Sequence, residues 1–180
     1  MIEGELLEQR VIVWDKDSFA ELEESGYGKI LDYNLELALV EAMFLVNKGK
    51  LKVLIKEGKK KKKLSKKELY EYCVKNERNF HARLIVYTDL RDRGFLVKTA
   101  FKFGSDFRVY DRGVKLKKGP KEAFEHTKWI VHAIPEEFTC SFPELSRAVR
   151  LAQNIRTEMI WAIVDSDSCV TYYGIKRLNL

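Results

Sequence analysis

The chain has 180 residues, of which 46% are hydrophobic and 33% are charged, an ordinary composition for a soluble globular protein of one domain or two small ones. Its formal net charge of +6 suits a polyanionic partner but does not establish one. No apolar run approaches the roughly 20 residues needed to cross a bilayer, which excludes a protein with membrane-spanning helices.

The N-terminal segment and the cysteines exclude further classes. The segment MIEGELLEQR is acidic and lacks the basic and apolar regions of a secretory signal, so we expect a cytoplasmic protein. Cys73, Cys140 and Cys169 are widely spaced, form no CxxC pair and match no Cys/His zinc pattern. We therefore expect reduced cysteines that mostly pack in the interior, with no metal site and no cofactor.

The first third of the chain predicts a small α/β unit. A strand is expected over 8–14, a short helix over 17–24 and a strand over 51–55. The segment 34–48 has apolar residues at helical spacing, and Gly49 is well placed to end that helix. The residues at this spacing are Leu35, Leu39, Ala42, Met43 and Val46.

A run of lysines over 58–67, GKKKKKLSKK, supplies much of the positive charge. It is consistent with a solvated hairpin or linker. It is also consistent with contact to phosphates, which would make binding strongly dependent on salt.

The middle of the chain predicts two helices and a pair of strands. Ser65 and Glu68 have the spacing of a capping box that opens a helix, and a longer helix from about 79 to 93 ends at Gly94. The segment 95–113 then predicts strand, turn and strand, with Gly104 at the turn.

The last third predicts three strands and one helix. We expect strands over 128–134, 159–165 and 169–178, and a helix over 142–157. The fold class is therefore α+β: a small N-terminal α/β domain over 1–64, followed over 65–180 by a nuclease-like domain with a mixed sheet flanked by helices.

Tyr110 and His126 are the candidate catalytic pair. Tyr110 closes the alternating run 103–110, and His126 precedes the next strand, so two adjacent strands can bring them to one sheet end. A phenol and an imidazole can exchange protons with RNA, which carries its own nucleophile, the 2′-hydroxyl. Taken singly, Tyr110 could only pack and His126 could be a surface residue. His132, in an apolar strand, and His81, near a helix start, are weaker candidates.

Long blocks of the sequence resemble the archaeal tRNA-splicing endonuclease family in its short, single-unit form. The blocks YNLELALVEAMFLVNKGKLKV and KKELYEYC resemble its N-terminal domain. The second half is similar to its catalytic domain in four blocks: VYTDLRDRGFLVKTA (86–100), GSDFRVYDRG (104–113), EHTKWIVHAIPE (125–136) and RAVRLAQNIRTEMIWAIVDSDSCVTYY (147–173).

The resemblance implies a metal-independent endoribonuclease that recognises a bulge-helix-bulge in precursor tRNA. It implies cleavage to a 2′,3′-cyclic phosphate and a 5′-hydroxyl, with Tyr110 as general base and His126 as general acid. The third catalytic residue of the family is a lysine that stabilises the transition state, and Thr157 stands at its position. Losing one such donor commonly costs about 10²–10³ in rate.

Three explanations of Thr157 remain open. The chain is a non-catalytic structural subunit that assembles with a catalytic paralogue, an active enzyme with a relocated cation, or an inactivated variant. Arg156, Lys128 and Lys176 are the candidate substitutes for the lysine. A general basic RNA-binding protein is a more remote alternative.

The resemblance also implies binding residues. Arg150 matches an arginine that grips a base flipped from the bulge, although it could be an ordinary helix-surface residue. Asp165 and Asp167 match an acidic loop that docks into a neighbouring subunit, although they could merely form a turn; Ser168 replaces the more usual glycine there. The expected partners are precursor tRNA and either further copies, as a dimer or tetramer, or a related endonuclease subunit, in contact through the final strand.

Overall fold

The computed structural model describes residues 1–58, 60–100, 105–114 and 126–178. They divide into two compact units, Met1–Phe80 and His81–Leu180. Each unit contains helices and its own mixed sheet, which confirms the α+β class. The helix that opens at Ser65, which we expected to begin the second domain, lies in the first unit.

The first unit is a mixed sheet with helices. Its described elements are β1 (Ile2–Leu7), β2 (Arg10–Val13), α1 (Asp17–Glu24), β3 (Lys29–Leu31), β4 (Asn34–Ala38), α2 (Leu39–Asn47), β5 (Leu51–Glu57), β6 (Lys60–Lys63) and α3 (Lys66–Asn76). The strand order is β3-β4-β2-β1-β5-β6. β1 and β5 are parallel, and the other neighbours are antiparallel.

The prediction of one helix over 34–48 was wrong in its first five residues, which form β4. Leu35 and Leu37 are fully buried, while Asn34 and Glu36, which alternate with them, are half-buried. This alternation is the period of a strand, and pairing with β2 and β3 stabilises it. β1 and β3, two further strands of the same sheet, were not predicted from the sequence.

The capping box at Ser65 is confirmed. The backbone N–H of Glu68 donates to the Ser65 hydroxyl at 3.2 Å, and the Glu68 carboxylate accepts from the Ser65 N–H at 2.8 Å. Glu68 also pairs with Lys62 at 2.8 Å. These bonds together lower the pKa of Glu68 to about 2, and the bond from Lys62 has the largest effect.

The second unit is a five-stranded sheet with two described helices. Its elements are α4 (Phe80–Asp92), which begins at the last residue of the first unit, β7 (Phe95–Thr99), β8 (Phe107–Arg112), β9 (Trp129–Pro135), α5 (Phe142–Asn154), β10 (Glu158–Val164) and β11 (Val170–Ile175). The strand order is β11-β10-β9-β8-β7, with β9 and β10 parallel and the rest antiparallel. The predicted turn at Gly104 lies outside the described residues.

Two helices pack on this sheet through apolar side chains. Tyr87 of α4 meets Phe107 of β8, with ring centroids 5.6 Å apart. Ala152 of α5 joins a buried cluster with Ile130 and Met159. The strands that carry the candidate residues are therefore held by a packed core.

The cysteines are all free thiols, as expected. Cys73 is buried in α3, but Cys140 and Cys169 are exposed. The expectation that the cysteines pack in the interior was therefore wrong for these two residues, which lie in loops beside α5 and β11.

Candidate active site

The ends of three neighbouring strands lie together at one end of the C-terminal sheet. This end is called the sheet edge below and is distinct from the outer strands β7 and β11. β8 runs antiparallel to β9, and β9 runs parallel to β10, so the end of β8 lies beside the starts of the other two strands. The Lys128 N–H donates to the Val109 carbonyl at 2.8 Å, which extends the β8–β9 pairing to this edge. Extended by one residue from the pairs of Trp129 with Val109 and Glu158, this register sets Tyr110 and Thr157 level with Lys128. His126 lies two residues before Lys128.

Tyr110 is almost fully buried. Its residue is 1% exposed, and its ring packs in a cluster with Leu96 and Val114. Leu96 is also its partner across the β7–β8 pairing. The main chain of Tyr110 thus lies at the sheet edge while its ring lies in the interior.

His126 is exposed and lies two residues before Lys128. The residues 115–125 that lead to it lie outside the described part of the chain. The two candidate side chains therefore differ in environment, one buried and one exposed, although their main-chain positions approach the same sheet edge.

Thr157 is held by hydrogen bonds at the start of β10. Its hydroxyl donates to the Lys128 carbonyl at 2.7 Å, and its N–H donates to the Ala152 carbonyl at 3.0 Å. The side chain thus ties the start of β10 to the start of β9. It supplies no charge at the position where the family lysine is expected.

Lys128 brings a cation to this edge. Its ammonium lies 2.9 Å from the Asp111 carboxylate, and this bond is the main cause that lowers the pKa of Asp111. The same ammonium lies over the ring of Trp129, 4.7 Å from its centroid, and 5.9 Å from that of Phe95. Of the three candidate substitutes, Lys128 has the main-chain contacts to both β8 and Thr157.

Arg150 lies on the exposed side of α5. Its Nε is 3.4 Å from the Ser146 carbonyl, one turn earlier in the helix, a long contact that leaves the guanidinium at the surface. The helix ends close before Thr157, but no described contact joins Arg150 to the edge residues.

Asp165 and Asp167 have different surroundings in the β10–β11 turn. The Asp165 carboxylate accepts from the N–H groups of Asp167 at 3.0 Å and Cys169 at 2.8 Å, so it stabilises the turn itself. Asp167 is exposed. Ser168 has φ +63°, a left-handed conformation that favours glycine, which is the residue expected there from the resemblance.

His132 and His81 form hydrogen bonds away from this edge. His132 Nδ1 lies 2.9 Å from Asp106, which also accepts from the Ala133 N–H at 2.8 Å and pairs with buried Arg83 at 2.9 Å. The interpretation of His132 as a satisfied structural residue is confirmed. The roles of Asp106 and Arg83 were not predicted, because spacing along the sequence does not reveal contacts between residues that are distant in it.

The described residues contain no group of three His, Cys, Asp or Glu side chains that could hold a metal ion.

Comparison with known families gives the identity of both units. Residues 2–70 match the model of the tRNA intron endonuclease N-terminal domain, and residues 80–172 match that of the tRNA intron endonuclease catalytic C-terminal domain. The chain belongs to the tRNA intron endonuclease family. The recognition made from the sequence blocks is thus confirmed.

Relatives of this family cover the chain almost end to end. This chain is 39% identical over 179 residues to a tRNA-splicing endonuclease of Methanococcus vannielii, and the match covers 99% of this chain and 96% of that protein. It is 40% identical to one of Thermococcus kodakarensis, covering 93% and 92%. A tRNA-splicing endonuclease of Methanococcoides burtonii is 39% identical over 97% of this chain but only 48% of its own length.

These relatives support an endonuclease role in cleaving tRNA introns. Precursor tRNA is the substrate that this role implies. Among the described residues, no helix has both the length and the apolar character to span a membrane.

Proposed function

We propose that the chain is a metal-independent endoribonuclease that cuts precursor tRNA at the intron boundaries of a bulge-helix-bulge. Tyr110 takes the proton of the 2′-hydroxyl, whose oxygen attacks the neighbouring phosphorus. The bond from phosphorus to the 5′-oxygen breaks, and His126 protonates that oxygen. The products are a 2′,3′-cyclic phosphate and a 5′-hydroxyl. A cytoplasmic location accompanies this proposal.

The observation that carries the proposal is the meeting of three strand ends at one sheet edge. The register of β8, β9 and β10 supports it, because Tyr110 and Thr157 flank Lys128 and His126 is only two residues from Lys128 along the chain. Because Tyr110 is 1% exposed, the proposal requires that RNA or a partner subunit uncover its hydroxyl. Lys128 is the cation that we assign to the place of the missing lysine.

Base recognition is proposed for Arg150. A guanidinium on an exposed helix surface can stack on an unpaired base without first losing a buried partner. Arg150→Ala should therefore weaken binding of a bulged RNA more than binding of the same RNA with its bulges closed.

Assembly is proposed through the β10–β11 turn and the final strand. β11 is the edge strand of its sheet, and Tyr173 on it is 53% exposed. Since Asp165 is engaged within the turn, Asp167 is the acidic group that faces a partner. The assembly is a dimer or tetramer of this chain, or a complex with a related endonuclease subunit.

A second candidate function, a non-catalytic structural subunit, is favoured by two observations. The Thr157 hydroxyl donates to a main-chain carbonyl, and Tyr110 is buried in an apolar cluster. Such a subunit would bind RNA and a catalytic partner without cleaving.

The test is incubation of the purified chain with a bulge-helix-bulge RNA in EDTA. Cleavage by the chain alone, with cyclic phosphate ends and loss of activity in Tyr110→Phe and His126→Ala, supports the enzyme. Cleavage only after a paralogous subunit is added, unaffected by Tyr110→Phe in this chain, supports the structural subunit. Salt-sensitive binding with no preference for bulges and no cleavage would reject both.

A further inference from the structure

The lysine run forms an exposed face with the strand beside it. Lys61 of β6 pairs directly with Lys56 of β5, and Lys63 pairs with Leu54. Paired residues point to the same side of a sheet, and residues two or four apart along a strand share a side. Lys52, Lys56, Lys61 and Lys63 therefore share one side, here called the lysine face.

The opposite side of these strands is the core of the first unit. Leu51 and Val53 alternate with the lysines of β5 and are 3% and 1% exposed. Lys56, Lys61 and Lys63 are exposed and Lys52 is half-buried. The fold thus fixes the side on which these ammonium groups stand, although their long side chains remain solvated.

Two members of the lysine face are neutralised within the unit and two are not. Lys52 pairs with Glu3 at 3.3 Å, and Lys61 pairs with Glu5 at 3.1 Å. Within the described residues, no carboxylate lies at ion-pair distance from Lys56 or Lys63. The lysine face therefore carries a local excess of positive charge.

The arrangement is unfavourable for an isolated sheet. Like charges directly opposite each other on antiparallel strands, about 4.5–5.5 Å apart at Cβ, are destabilising. Lysines on an edge strand can prevent edge-to-edge pairing, which accounts for β6. Protection of an edge strand does not account for Lys56, because β5 is an interior strand between β1 and β6.

An anion between the strands removes this repulsion. Alternate residues along a strand are about 6.6 Å apart, so Lys61 and Lys63 with Lys56 form a compact cluster that suits successive charges on a polyanion. The RNA backbone carries one negative charge per nucleotide, and lysine contacts to it release counterions. We propose that Lys56 and Lys63 of the lysine face bind backbone phosphates of the precursor RNA, outside the catalytic domain.

This inference rests on the proposed RNA substrate and adds a second contact surface to it. Two phosphate contacts contribute about 1.5–2 to the slope of log affinity against log salt. Their loss should weaken binding by about tenfold or more near 0.1 M salt. The single-turnover rate at saturating RNA should not change, because none of the four lysines of this face has a role in the proposed chemistry.

The experiment compares two double variants of the full chain. Lys56→Gln with Lys63→Gln removes the unpaired cations of the lysine face. Lys29→Gln with Lys75→Gln removes two exposed lysines elsewhere in the same unit and changes the net charge equally. Binding is measured by fluorescence anisotropy over about 0.05–0.3 M salt. The probe is a bulge-helix-bulge RNA with 2′-deoxy residues at the cut sites.

A reduced slope and weaker binding in the first variant alone support the inference. Equal losses in both variants overturn it, because net charge would then be the cause, and an unchanged slope in the first variant overturns it as well. Thermal unfolding is the folding check, and removal of like charges should leave the first variant no less stable than the parent.

Failure of the inference and failure of the proposed function give different results. Cleavage of the all-ribose RNA by the parent chain, together with an unchanged slope in the first variant, rejects the lysine face alone. A reduced slope without cleavage, even after a paralogous subunit is added, rejects the enzyme and retains the RNA contact.

Discussion

The hydroxyl of Thr157 donates a 2.7 Å hydrogen bond to the main-chain carbonyl of Lys128. This bond joins the residue at the position of the family lysine to the cation that we assign in its place. It also ties together the starts of β9 and β10, where the proposed reaction occurs. Thr157 therefore has a structural role that a lysine side chain would not fill in the same way.

The first prediction concerns Thr157→Lys. It restores an ammonium group at this sheet edge. Because Lys128 is paired with Asp111 at 2.9 Å, it replaces the family lysine only in part. The single-turnover rate on a bulge-helix-bulge RNA should therefore rise at least tenfold, since one such donor is commonly worth about 10²–10³. Thr157→Val is the control, because it removes the hydrogen bond without adding charge and should give no increase. An unchanged rate in Thr157→Lys would contradict this, because Lys128 would then already supply the whole effect of the missing lysine.

The second prediction concerns Lys128 itself. Its main chain contacts β8 and Thr157, and its ammonium is held near the edge by Asp111. Lys128→Met keeps most of the apolar stem over Trp129 and should lower the single-turnover rate by about 10². Lys176→Met is the matched control and should stay near the parent rate. Equal rates in the two variants would remove Lys128 from the mechanism.

The fold was predictable where a local signal determined it. The capping box of Ser65 and Glu68 needs only residues three apart, and it opened the helix where expected. The segment 34–48 was not predictable, because Leu35 and Leu39 fit a helix while Leu35 and Leu37 fit a strand. The first five residues of this segment form a strand because they pair with β2 and β3, and local spacing does not show that pairing.

The candidate residues were predictable by type but not by environment. The blocks around Tyr110 and His126 single them out as candidates, and the pairing of β8 with β9 runs to Val109 and Trp129, close to both. The burial of Tyr110 against Leu96 depends on a partner from β7, and the bond of Thr157 depends on the main chain of β9. These contacts come from residues distant in sequence, so motif spacing carries no information about them.

The third prediction concerns thiol reactivity. Burial, with a smaller effect of Glu77, raises the pKa of Cys73 to about 12, so its reactive thiolate is scarce near pH 8. Cys140 and Cys169 are exposed. Ellman's reagent should modify two thiols per chain rapidly and the third only after unfolding in guanidinium. Rapid modification in the Cys140→Ser, Cys169→Ser double variant would contradict the burial of Cys73.

The fourth prediction concerns the contact between α4 and β11. The Tyr172 hydroxyl donates to Asp89 Oδ2 at 2.6 Å, and Arg93 Nε donates to the same oxygen at 2.8 Å. Burial alone would raise the pKa of Asp89, but the bonds from Arg93 and Tyr172 together outweigh it and lower that pKa. A hydrogen bond to a charged group contributes about 1.5–3 kcal/mol, so Tyr172→Phe should lower the free energy of unfolding by that amount at pH 7.

The pH dependence of this effect follows from the lowered pKa of Asp89. A carboxylate whose pKa is lower in the folded chain contributes stability above its unfolded pKa, near 4, and loses it as pH falls through the folded value. The difference between the parent and Tyr172→Phe in urea unfolding should therefore shrink below about pH 4. The control Tyr173→Phe changes the exposed residue next to Tyr172 and should lower the free energy of unfolding little at any pH. An equal loss at pH 3 and pH 7 would mean that the charge of Asp89 is not what Tyr172 stabilises.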